Sequence, residues 1–117
     1  MAGAAAADLA AVEARLRALL EPYAGRLEPT TIYGLPALRR PGARAHDWFA
    51  FVQPATRHVA LFLLPVRTWP DLLEGCSTDL RARRTGAATF TFRALPDTLA
   101  AEVAALLARA FERYAGS

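Results

Sequence analysis

Apolar residues early in the chain recur at spacings of three and four. Leu9, Val12, Leu16, Leu19, Leu20 and Tyr23 form one face of a helix over residues 8–23, with Glu13, Arg17 and Glu21 on the surface around it. Pro22 falls near the end of this helix and Gly25 supplies the stop. The last part of the chain repeats the pattern. Pro96-Asp97 opens a long helix whose stripe is Leu99, Val103, Leu106, Leu107, Ala110, Phe111 and Tyr114, followed by Gly116.

Between the two helices the pattern changes. "TTIY", residues 30–33, is β-branched and aromatic and predicts a short strand that Gly34 and Pro36 bend or end. Residues 39–46 read as a loop turning at Pro41-Gly42. "DWFAFVQ" and "HVALFLLP" then predict a hairpin joined by residues 54–57. With Gln53 opposite His58, Val52 meets Val59, Ala50 meets Leu61 and Trp48 meets Leu63. The other face then carries Phe51 with Ala60 and Phe49 with Phe62. Both faces are apolar, so each needs a cover or a partner. "TWPDLLEG" predicts a short helix with Thr68 as N-cap, Pro70 in its first turn and Gly75 as its stop. "STDLRARRTG" is polar and basic and has room for one more helical turn. "AATFTFRA" alternates Thr89 and Thr91 with Phe90 and Phe92, a strand with one buried face.

Antiparallel strands with a helix at each end predict an α+β fold. Its single antiparallel sheet has the N- and C-terminal helices packed on one face. At 117 residues, with no repeat and no long linker, the chain reads as one domain, and the 54% hydrophobic share is enough for a self-sufficient core. The net charge of +3 does not by itself call for nucleic acid. All the basic residues are arginine, which raises the pI without adding charge. Asp8, Glu13, Arg15 and Arg17 interrupt the N-terminal apolar run, arguing against both a signal peptide and a membrane span. The single Cys76 offers no internal disulfide or thiolate cage, and the expected location is cytoplasmic.

Chemical motifs are sparse. The hairpin register separates His46 from His58 by ~23 Å at ~3.3 Å per residue, too far to share a metal ion. Ser77 and Cys76 have no histidine nearby in sequence, and phosphate-loop and dinucleotide motifs are absent, so no enzyme is expected. Glu13 and Glu21 are eight residues apart and are not adjacent ligands. Among the carboxylates, Asp71, Glu74 and Asp79 come closest to a hard-cation set. The densest basic stretch, Arg81, Arg83, Arg84, Thr85 and Gly86, suits a phosphate or carboxylate, or else a solvated loop guarding an edge strand. Arg39, Arg40 and Arg44 form a second basic loop with the same two readings.

"YGLPALRR", the hairpin "WFAFVQPATRHVALFLLP" and "RRTGAATFTFRALPDTLAAEVAALLARAFERY" together resemble the YdhG-like family, a domain of unknown function. The resemblance runs from about residue 8 to residue 114. Tyr33, Gly34, Pro36, Thr85, Gly86, Thr89 and Phe92 sit where that family's signature residues fall. It implies a frataxin-like fold and a binding role, with iron chaperoning as one form of it. Gly34 and Pro36 would then make a structural turn, and Tyr33 would share a concavity with Arg84, Thr85 and Gly86 as a ligand site. Iron would fall to Asp71, Glu74 and Asp79. The other classes open at this point are a small anionic ligand at the Arg-Thr-Gly turn, and a protein partner or second copy on the sheet face around Trp48.

Overall fold

The computed structural model describes residues 2–32, 34–39 and 48–116, with side chains from residue 8 onward except that of Ile32. Helix α1 (Ala2–Ala24) is followed by strands β1 (Glu28–Ile32), β2 (Leu35–Arg39), β3 (Ala50–Pro54) and β4 (Val59–Leu63). A connection of α2 (Leu64–Thr68), a 3-10 helix (Pro70–Gly75) and α3 (Thr78–Ala82) leads to β5 (Thr89–Phe92) and α4 (Asp97–Ala115). The strands form one antiparallel sheet in sequence order. This is the expected α+β arrangement.

Alternation along the strands divides the side chains between two faces. Ala50, Val52, Val59, Leu61, Leu63, Phe90 and Phe92 meet the helices in the main core, and all buried apolar residues contributed by helices lie there. From α1 come Val12, Leu16 and Leu20; every residue of the α4 stripe is buried. Asp97 in the first turn of α4 and Arg113 in its last complement the helix dipole. The other face holds a smaller cluster of Ala37 and Phe51 with Leu35, Trp48 and Phe62. There the Phe51 and Phe62 rings stack at 4.3 Å and Trp48 meets Phe51 edge-on.

Four local expectations need correction. Pro36 lies inside β2 and does not end the first strand. It pairs with Thr31 beyond the two positions where β2 joins β3, so its missing N–H interrupts no ladder on the β3 side. The β3–β4 hairpin is slipped by two residues, with Val52 opposite Leu61 and Ala50 opposite Leu63. An even slip leaves every side chain on its expected face. Trp48, expected on the face of Ala50 and Val52, lies instead beside Phe51 on the other face, and Phe49 changes sides too. The Phe49 N–H donates to the Leu38 carbonyl at 2.8 Å while Ala50 also pairs with Leu38, the arrangement of a β-bulge. The bulge turns Phe49 into the helix layer against Tyr23, Phe111 and Tyr114. Finally, Thr68 ends α2 and does not cap the next helix, which begins at Pro70 as a 3-10 turn after Trp69. His46 and the Pro41-Gly42 turn lie outside the described residues.

Candidate binding cleft between the first helix and the outer strands

α1 packs across β3 and β4 and beside α4, whereas β1 and β2 pair outward toward the sheet edge. The register puts Pro29 with Leu38, and Thr31 with Pro36, on the helix side of these outer strands. A cavity of about 260 Å³ opens there. Its walls are Leu20 and Ala24 of α1, Pro29, Pro36 and Leu38 of the hairpin, and Ala50 and Val52 of β3. The void follows from residue size: Ala24 and Ala50 are too short to fill the gap, and the two prolines bring ring carbons and no N–H donors. Arg17, Glu21, Thr30 and Ala37 complete the lining.

The charged part of this lining is asymmetric. Arg17 is drawn to Glu13 one turn earlier, with Nε and Nη2 at 2.9 and 2.8 Å from the same carboxylate oxygen. Glu21, one turn later, has no partner among the described residues. The cleft therefore presents an apolar body with a free carboxylate at its margin.

The residues singled out in the sequence fall elsewhere. Tyr33 lies outside the described residues. Its neighbour Gly34 occupies the β1–β2 turn at φ +79°, where glycine has no Cβ to clash. Three strand spacings, roughly 14 Å at ~4.8 Å each, separate β2 from β5. The turn also lies at the β3–β4 loop end of the sheet, whereas Thr85 and Gly86 lie at the Thr89 end. One concavity does not join Gly34 to the Arg-Thr-Gly segment.

That segment is occupied with the sheet. The Thr85 N–H donates to the Thr89 carbonyl at 2.9 Å, and the Thr91 N–H to the Arg83 carbonyl at 2.8 Å. With Arg84 bridged to Phe90, the stretch covers the outer edge of β5. Arg84 donates to the Ala87 carbonyl, and Arg83 pairs with Asp79 at 3.3 Å. Arg81 folds back onto the Leu73 and Glu74 carbonyls.

Iron would need several oxygens converging on one point. Asp71 instead takes both terminal nitrogens of Arg113, at 2.7 and 3.5 Å, and those bonds hold its carboxyl below the usual carboxylate range. Asp79 is turned to Arg83. Among the described residues no three His, Cys, Asp or Glu side chains gather as a metal set. Asp71, Glu74 and Asp79 do not fit the ion the resemblance implies.

Ser77 and Cys76 have structural partners. The Ser77 hydroxyl donates to Glu102 at 2.7 Å and accepts the Leu80 N–H, capping α3. Cys76 is buried, and burial pushes its thiol up despite Arg109 nearby. Burial likewise raises the Tyr23 phenol, against the opposing pull of Arg26.

Sequence reading had no signal for the cleft. Its walls are apolar residues that carry no motif and come together only once β2 is recognised as a strand, and Pro36 argued against that. Comparison of the chain with family models, with curated proteins and with solved structures found no match in any of the three.

Proposed function

We propose that this chain is a non-catalytic binding module that takes a small molecule in the cleft between α1 and the β1–β2 hairpin. The observation that carries this reading is the apolar cavity itself, with few polar groups at its margin, the usual character of a small-molecule site. Its volume lies just under the ~300–1,000 Å³ common for ligand pockets, so the ligand is small or only partly enclosed. The free Glu21 carboxylate favours an apolar body with a cationic or donor head.

Hexylamine and hexanoate, titrated into the 15N-labelled chain, test this. The expected result is saturable shifts of Leu20, Leu38 and Val52 amides with the amine and weaker ones with the acid. Glu21→Gln should remove that preference. Ala24→Trp, at an exposed position on the cleft wall, should abolish both responses while the fold persists. Shifts with neither probe, or shifts that survive Ala24→Trp, would end this reading.

A second reading, self-association through the other sheet face, is favoured by the charge on that face. Glu28 and Arg39, which face each other across β1 and β2, pair at 3.3 Å, so neither stands as a lone charge beside its apolar cluster. An isologous contact requires such a self-complementary patch. Sedimentation across a concentration series should then show a dimer that Phe62→Lys dissolves; a monomer throughout would exclude it.

A further inference from the structure

Most of the described arginines are engaged by carboxylates, carbonyls or rings, as with Arg15 on the Leu95 carbonyl and Asp97, or Arg26 over Phe111. Among the described residues, Arg57, Arg67 and Arg93 are the ones with no hydrogen bond, ion pair or ring contact. Arg57 and Arg93 share one cavity of about 340 Å³, lined also by Thr56, Asp8 and Leu9.

The fold brings this pair together. The β3–β4 loop is closed by the Ala55 N–H donating to the His58 carbonyl at 2.9 Å, which leaves Thr56 and Arg57 at its tip. Val59 pairs with Phe92, so the next position along each strand sets Arg93 across from His58, beside Arg57. The start of α1, with Asp8 and Leu9, forms the third wall. Two like charges lining one cavity repel unless an anion lies between them. Asp8 is the carboxylate in that lining, yet it makes no ion pair with either.

We propose that this cavity is a phosphoryl-binding site. Arg57 and Arg93 hold a tetrahedral dianion, and the Thr56 hydroxyl adds one donor. Two guanidiniums match a dianion in charge, whereas a carboxylate neutralises only one of them, and each guanidinium offers paired N–H donors to phosphate oxygens. Asp8 opposes the bound anion and so limits its affinity. This site is separate from the cleft beside α1, and the two proposals stand or fall independently.

The test is titration of the 15N-labelled full chain with inorganic phosphate, methyl phosphate and acetate at constant ionic strength, following arginine Nε–H signals and backbone amides. The expected result is saturable movement of the Arg57 and Arg93 signals with both phosphates and not with acetate. Arg57→Gln and Arg93→Gln should each weaken binding about tenfold, the loss of a charge-assisted hydrogen bond. Arg67→Gln, which removes the third free arginine outside the cavity, should change nothing, and Asp8→Asn should tighten binding. These substitutions are at exposed positions, and unchanged amide spectra will confirm the fold. Equal affinity for the two phosphates identifies the phosphoryl group itself as the ligand, and a preference for methyl phosphate points to an esterified one. No saturable movement, an equal response at Arg67, or acetate binding as well as phosphate would overturn the proposal.

Discussion

Gly34 is the residue whose identity the backbone most directly demands. Its φ of +79° lies where a Cβ meets the following carbonyl, a cost of about 1–2 kcal/mol for an alanine. Gly34→Ala should therefore lower the melting temperature by roughly 4 °C or more in a domain this size, with Gly34→Asn affected less. Two titrating residues set opposite pH trends. The Cys76 thiol is raised by burial, so its contribution is complete below the unfolded thiol pKa and is lost as pH rises toward the folded one. Chemical denaturation should show stability falling on the alkaline side in the native chain and less so in Cys76→Ala. Asp71 is lowered by Arg113, so its contribution is present above the unfolded carboxylate pKa and disappears as pH falls through the folded value. Stability curves of the native chain and Asp71→Asn should converge in acid. Glycine at the turn was legible from residue type; both titration shifts depend on neighbours far along the chain.

Among the elements, the two terminal helices and the Phe-Thr strand were readable because their periods of 3.6 and 2 are long enough to show. The connection between β4 and β5 was less so. Its 3-10 helix is tied by Arg81 of the same connection to the Leu73 and Glu74 carbonyls and, from α4, by Arg109 to the Leu72 carbonyl. The Gly75 Cα lies so close to Arg109 that a Cβ would come within 3.0 Å of its guanidinium. Ser77 links this connection to α4 through Glu102 while capping α3. Ser77→Ala should cost about 1 kcal/mol, read as a shift in denaturant midpoint with unchanged slope. β2 was missed for a physical reason. Pro36 is a strand breaker in general, and only the end of pairing with β3 makes it harmless here.

For the whole molecule, the decisive packing is the aromatic group at Phe49. Strand alternation would leave Phe49 on the outer face with Phe51; the bulge places it against α1 and α4, fully buried. Phe49→Ala should destabilise by about 3–5 kcal/mol, a large share of the ~5–15 kcal/mol typical of a domain, as measured by urea unfolding. Ferrous iron, added anaerobically at matched ionic strength, should give no saturable rise in melting temperature, because the described carboxylates that would hold it are apart or paired with arginine. Ligand that binds only the folded state at a hundred times its dissociation constant would add ~2.7 kcal/mol, easily seen as several degrees.

Local pattern was sufficient for the class of fold, the two long helices and the presence of the central hairpin. Each follows from side-chain period, which needs no distant neighbour. Register, the Phe49 bulge, the β2 strand, the cleft and the pairing of Arg57 with Arg93 were settled in three dimensions. These depend on how far one strand slides on another and on which small residues leave space, and both are set by contacts between segments distant along the chain.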